Sequence, residues 1–232
     1  MNKIFNLLSS NQLKILALIA MTIDHIGVQI LPQYDILRII GRISFPIFAF
    51  MIAEGCRYTR SRSKYLLKMS GLAVICQVVF YIADGSLYQS VLVTFSLGIG
   101  LVYAVDYALK KGSMLACLLA VFALFSVYFI CEILPEILSH TDFLIDYGFW
   151  GAVMPLLVYV MHNKTGKLLM MTVAMIGIAL NYGGNQWYSL IALIPLAVYS
   201  GQRGKIRLKE MFYLYYPLHL VAIYAVDMFL LG

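Results

Sequence analysis

Long apolar runs set the terms for this chain. Nine stretches, at about residues 13–31, 36–55, 65–83, 90–109, 113–134, 148–161, 167–182, 186–200 and 211–230, are mostly apolar and are separated by short polar turns. A helix crosses a bilayer with roughly 20 apolar residues, so each run reads as a transmembrane helix. Those at 148–161 and 167–182 are short and read as tilted, re-entrant or interior. Of the 232 residues, 62% are hydrophobic and 12% are charged, against roughly 25% charged in a soluble domain. No single core could bury that much apolar surface, whereas lipid acts as a solvent for it. The fold expected is therefore all-α: one polytopic transmembrane helix bundle over residues 1–232, with about nine spans. Pro32, Asp84-Gly85, Lys111-Gly112, Gly183-Gly184 and Gly201 supply the breaks between runs. Asp24 and His25 interrupt the first run and no small-residue cleavage site follows, so it reads as a membrane helix and not as a removed signal.

Charge supports the same alternation. With the N-terminus in the cytoplasm, the inner segments carry Lys3 and Lys14, then Arg57, Arg60, Arg62, Lys64 and Lys68. They next carry Lys110 and Lys111, Lys164 and Lys167, and last Arg203, Lys205, Arg207 and Lys209. These are all of the 17 Lys and Arg residues except Arg38 and Arg42. Asp35, Asp84, Glu136, Asp142 and Asp146 fall outside, with Glu132 near them. This is the positive-inside pattern, and it places the C-terminus outside. The net charge of +6 thus encodes orientation, and no nucleic-acid partner is expected. Cys56, Cys76, Cys117 and Cys131 lie in or beside apolar runs without metal-ligand spacing, so neither a disulfide framework nor a metal is expected.

The informative residues are polar ones at membrane depth. Asp24 and His25 lie in the outer half of the first run, and Arg38 and Arg42, four apart, share a face at the outer start of the second. A charge at such depth costs on the order of 3 kcal/mol unless paired, and Asp24 is the natural partner for either arginine. Such a cluster is either an ion pair that fixes packing or a functional site. His25 is either an interior histidine with its hydrogen bonds met or a base working near neutral pH. His219, in Tyr215-Tyr216-Pro217-Leu218-His219, sits mid-span with Tyr215 on its face, and Pro217 frees a backbone carbonyl there. Glu54 beside Arg57 reads as a hydrated interfacial pair or a site residue, and Gln77 as a bridge between helices. The run from Arg57 through Arg60 and Arg62 to Lys64 suits lipid headgroups or, at the start of the third helix, the phosphates of a donor such as coenzyme A. Gly98-Ile99-Gly100 reads as close helix packing. His140 and His162 read as solvated loop residues.

Four stretches carry a family resemblance: Leu13 to Gly27 with Asp24-His25; Leu37-Arg38 through Gly41-Arg42 and Phe45-Pro46 to Glu54-Gly55 and Tyr58-Thr59; Asp146-Tyr147-Gly148 with Gly151; and Tyr215 to Leu220. In this combination and order the chain resembles the TraX family, named after a conjugal transfer protein that acetylates a pilin N-terminus. The resemblance implies a polytopic acyltransferase of a bacterial cytoplasmic membrane, using acetyl-CoA or another acyl-CoA. It is also similar in layout to larger membrane acyltransferases of envelope sugars, which carry an early-helix His with Arg nearby. By position His25 would be the base, with Arg38 and Arg42 the charge stabilisers. The family's Ser-Gln of the third helix stands here as Cys76-Gln77, and its Asn-Thr pattern is reduced to Thr94.

The expected reaction moves an acyl group from cytoplasmic acyl-CoA, held along Arg57 to Lys64, to an amine or hydroxyl of an extracytoplasmic peptide or glycan. Its thioester would need a tunnel of pantetheine length to reach His25. Asp24 would hold the arginines, and His219 with Tyr215, Gln77 and Glu54 would position substrate. The alternatives from other classes are a small transporter gated by the same buried charges, and a scaffold subunit of an export or conjugation machine.

Overall fold

The structure, a computed structural model, describes residues 7–204 and 209–230, leaving out the side chains of 83–84, 209–213 and 227–230. Lys3, Lys205 and Arg207 therefore lie outside the described residues, as do the side chains of Asp84 and Lys209. The described residues form helices and no strand; two isolated bridges, Leu8 with Tyr199 and Gln89 with Ile145, are the extended pairings given. The chain divides into two compact units: residues 1–51 with 175–232, and residues 52–174.

The first unit opens with α1 (Ser10–Gln29), whose start is set by a capping box of Ser9 and Gln12. After a tight turn comes α2 (Asp35–Gly41), then α3 (Ser44–Tyr58). The second apolar run is thus not one unbroken helix. Pro46 has no N–H to give the carbonyl of Arg42, and the chain tightens there instead, Arg42 N–H reaching Arg38 O and Ile39 O and Ile43 N–H reaching Ile40 O. Ser44 Oγ donates to Ala17 O at 2.9 Å, pinning the start of α3 to α1. The same unit holds the end of α9 (Lys164–Tyr182), a 3₁₀ helix at Gly184–Ala192, the short α10 (Leu193–Ala197) and α11 (Lys209–Leu230). α11 packs on α1, and the 3₁₀ helix packs on α2.

In the second unit, α4 (Arg62–Asp84), α6 (Met114–Tyr128) and α8 (Gly148–Val160) surround α5 (Val91–Lys111). Gly85 and Gly112 end α4 and α5 with φ of 65° and 62°, the left-handed cap that a side chain resists. α6 runs on through a π turn at Phe129–Ile133 into α7 (Leu134–Ile137), because Pro135 cannot donate to Cys131 O. Gly98 lies against α8, where an added Cβ would stand 2.8 Å from Ala152 O. Gly100, expected to do the same, has nothing near it. α8 is buried and held at both ends. Glu132 accepts from Phe149 N–H at its start, and Arg57 donates to Tyr159 O and Met161 O at its close, each charge complementing the helix dipole.

Among the described residues, five helices are long and apolar enough to cross a membrane: 35–58 (with its break), 62–82, 91–111, 114–137 and 164–182. On 62–82 and 114–137 the apolar side chains mostly face outward, Leu67, Val74, Ile82, Met114, Val121 and Phe122 among them. Faces of this kind are stable in hydrocarbon and not in water, and the chain is a membrane protein. Three expectations change, while the 148–161 run is short as expected. The 167–182 run, expected to be weak, belongs to a helix of 19 residues that qualifies. α1 has the length, at 20 residues, but Lys14, Asp24 and His25 keep it out of the five. α8, with 13 residues, spans about 20 Å, short of a roughly 30 Å hydrocarbon layer. The run at 186–200 is not a spanning helix: Gly183 and Gly184, both at positive φ, break it from α9, and 3₁₀ geometry leads into α10 of only 5 residues.

Candidate functional site

In the first unit one helical hairpin brings together Asp24, Arg38 and Arg42. The carboxylate of Asp24 on α1 accepts from Arg38 Nη1 at 2.8 Å and from Arg42 Nη2 at 2.6 Å. Two glycines make that approach possible. A Cβ at Gly27 would fall 2.7 Å from Leu37 Cβ, and one at Gly41 would fall 2.3 Å from Asp24 Cβ. The spacing Asp24-x-x-Gly27 and Arg38-x-x-Gly41-Arg42 is therefore a packing code: the glycines bring the backbones together so that the charges meet. Arg42 is 8% exposed and also donates from Nε to Arg38 O, whereas Arg38 is 33% exposed. One carboxylate thus faces two guanidiniums, of which Arg38 is the more accessible.

His25 points away from that clamp. Its Nδ1 lies 2.8 Å from Met21 O, one turn back on α1, and not on Asp24. Its ring remains within electrostatic reach of Arg38 and Arg42. Across from it on α11, His219 is buried, with Nδ1 3.0 Å from Tyr215 O and Nε2 3.4 Å from His25 Nδ1. The two imidazoles meet edge to face at 4.9 Å. The Tyr215 ring stacks on His219 at 5.3 Å and 9°, as their four-residue spacing requires. Its hydroxyl lies 2.7 Å from Thr22 Oγ1, which itself donates to Leu18 O. The Tyr215 O–H is therefore the donor to Thr22, and Tyr215 holds the histidine instead of offering a proton to substrate. Thr22 escaped the sequence reading, since a threonine one turn before His25 carries no charge signal.

The remaining expected residues lie in the second unit and do not form one site. Glu54 is buried and paired with Lys167, so the hydrated pair with Arg57 is not formed; Arg57 instead serves the end of α8 and lies over the Tyr159 ring at 5.2 Å. Arg62 is committed to Asp106 at 2.6 Å and to the Tyr103 ring at 5.1 Å. Asp106 also takes Lys110 and the Tyr159 hydroxyl, each at 2.8 Å. The sequence reading passed over Asp106, although its position four residues before Lys110 marked it. Arg60 and Lys64 are exposed. Gln77 donates to Ser86 O, at the end of its own helix, and bridges no second helix through that bond. His140 and His162 are exposed.

With this geometry in hand, comparison with known proteins places the chain. The family model described as TraX protein matches residues 9–227. This chain belongs to the TraX family. The match takes in the hairpin and α11 together, so the Asp24–arginine clamp and the His25–His219 contact both fall inside it. The chain is similar to the probable fimbrial assembly protein FimC, serogroup H1, of Dichelobacter nodosus, 24% identical with 96% of this chain and 97% of that protein covered. It is also similar to the uncharacterized protein RP591 of Rickettsia prowazekii (strain Madrid E), 40% identical over 68 residues, 29% of this chain and 27% of that protein. No solved structure matches.

Proposed function

We propose that this TraX-family protein is an acyltransferase of a bacterial cytoplasmic membrane, moving an acetyl or other acyl group from cytoplasmic acyl-CoA to an amine or hydroxyl of an exported or envelope acceptor. One observation carries the proposal. A partly buried imidazole, fixed through Nδ1, leaves Nε2 unused within electrostatic reach of two guanidiniums that share one carboxylate in the same unit. Acyl transfer needs both parts. A base takes the proton of the attacking N–H or O–H, and fixed positive charge faces the oxyanion of the tetrahedral intermediate. The C–S bond then breaks, and the departing thiolate takes the proton from the base. Arg38 is the stabiliser in this scheme, because Arg42 is spent on Asp24 and on backbone. The exposed Arg60 and Lys64 are left for donor phosphates, with Arg57 and Arg62 in structural duty. The fimbrial name of the relative favours a pilin-like peptide N-terminus over a glycan as acceptor.

The topology belongs to the same proposal: nine crossings, the eighth made by the 3₁₀ helix with α10 and not by a spanning α-helix, N-terminus inside and C-terminus outside. The packing of the 184–192 segment on α2 supports it, since α2 follows the first outward crossing and α9 must then end on that outer side. Lys164 and Lys167 fall inside, and α8 makes a short inward crossing that burial in its own unit permits.

The test is transfer from labelled acetyl-CoA by purified protein, with mass spectrometry of surface peptides and glycans from cells with and without it. His25→Ala is expected to abolish transfer. Arg38→Ala is expected to lower it about 10²–10³-fold in a folded protein, whereas Arg42→Ala costs stability as well. Full activity in His25→Ala refutes the proposal.

A further inference from the structure

The hydrogen bonds around the two imidazoles fix where their protons sit. A carbonyl oxygen only accepts. His25 Nδ1 lies 2.8 Å from Met21 O, and His219 Nδ1 lies 3.0 Å from Tyr215 O. In each case a lone pair on Nδ1 would face a lone pair on oxygen, so each Nδ1 carries the proton. His219 Nε2 then stands 3.4 Å from the Nδ1–H of His25. A second proton on His219 would set N–H against N–H at that distance, so His219 stays neutral and its Nε2 accepts.

From this we infer that His25 and His219 are both held in the Nδ1–H tautomer, that the basic lone pair of the site is His25 Nε2, and that His219 is a positioning residue acting as a neutral acceptor for the imidazolium that forms on His25. The part played by a carboxylate behind other catalytic histidines falls here to a second imidazole and a helix carbonyl. A neutral acceptor suits the place, because Asp24 is already taken by Arg38 and Arg42. When His25 Nε2 takes the acceptor's proton, no existing hydrogen bond breaks: Nδ1–H keeps Met21 O and His219 Nε2, and both interactions strengthen with the positive charge. Tyr215 and Thr22 complete the support, the ring stacked on His219 and the hydroxyl donated to α1. The tautomers follow from geometry alone, whereas the use of Nε2 as a base rests on the acyltransferase reading.

Nitrogen NMR decides the tautomers without any assay of activity. The exposed His140 and His162 are changed to Gln, which leaves the two imidazoles of interest among four histidines, and the protein is labelled with ¹⁵N-histidine and held at neutral pH in detergent. The nitrogen that couples to both ring C–H protons is Nε2, and in both rings it is expected to be the unprotonated one. A proton on Nε2 of either ring overturns the assignment. His219→Ala is then expected to leave the proton on His25 Nδ1, which Met21 O still holds, to shift that N–H resonance as its second acceptor is lost, and to lower transfer about tenfold to a hundredfold, the range for losing one bond to a group that becomes charged. His219→Gln, whose amide oxygen reaches the same place, is expected to restore most of the rate. A rate unchanged in His219→Ala, or not restored by His219→Gln, overturns the positioning role. Wild-type protein with both protons on Nδ1 but no acyl transfer refutes the enzymatic reading and leaves the tautomers standing.

Discussion

Gly41→Ala tests the hairpin at its narrowest point. The added Cβ would lie 2.1 Å from Asp24 Oδ1, 2.5 Å from Asp24 Cγ and 2.3 Å from Asp24 Cβ. The last distance decides the outcome. A carboxylate can rotate away, but Asp24 Cβ is fixed by the α1 backbone, so relief comes only by moving helices. Ordinary carbon–carbon contact is about 3.5–4.0 Å, so α1 and α2 must separate by roughly 1.5 Å. That takes the 2.6 Å bond from Arg42 Nη2 to Asp24 Oδ1 to about 4 Å, beyond hydrogen-bond range. Overpacking costs about 1–3 kcal/mol, and breaking a buried pair costs about 3–5 kcal/mol. A loss of about 4 kcal/mol is thus the low end, on the order of a thousandfold in the folded ratio. The assay is the fraction of protein left in the monodisperse gel-filtration peak after timed heating in detergent. Gly71→Ala and Gly100→Ala, where a Cβ meets nothing within 4 Å, are the controls and lose nothing. Asp24→Gly removes the atom in the way, so Gly41→Ala adds little in that background. Wild-type heat resistance in Gly41→Ala refutes the reasoning.

Two further outcomes follow from the second unit and its loops. Glu54→Gln removes the carboxylate paired with the partly buried Lys167 ammonium, which costs about 3–5 kcal/mol, whereas Glu54→Gln with Lys167→Met recovers most of the loss; the same heating assay reads both. Asp142, in an exposed loop, accepts from the Ser86 hydroxyl and the Leu87 N–H, which hold its pKa below the ordinary value. Because the folded pKa is the lower one, the stabilisation is complete above the unfolded value of about 3.9 and is lost as pH falls through the folded one. Hydrogen exchange at Leu87 should be protected at pH 6, rise only below about pH 4, and lose that dependence in Asp142→Asn.

Much was legible in the sequence because the bilayer imposes a simple code. Apolar runs needed no tertiary information, and the helix ends at Gly85 and Gly112 followed from turn chemistry. Charges stranded in apolar runs could be matched as well: Asp24 found Arg38 and Arg42 because no other partner lay within reach of a tight turn. What misled the reading was local. Glu54 was matched to its chain neighbour Arg57, but side chains three apart on a helix compete with any stronger partner brought in by folding, and Lys167 is that partner. The 186–200 run had a membrane composition, yet two glycines at positive φ and 3₁₀ geometry kept it from being a spanning helix.

By itself, then, the sequence determined the solvent, the helical class, the family resemblance and the partners of Asp24, all of them properties of composition or short range. Only the tertiary structure decided that His25 meets His219, that Thr22 anchors Tyr215, and that Asp106 gathers Arg62 and Tyr159. The reason is distance along the chain: Thr22 and Tyr215 are 193 residues apart and His25 and His219 are 194 apart, and no periodicity links helices that meet only when the first and last pack together.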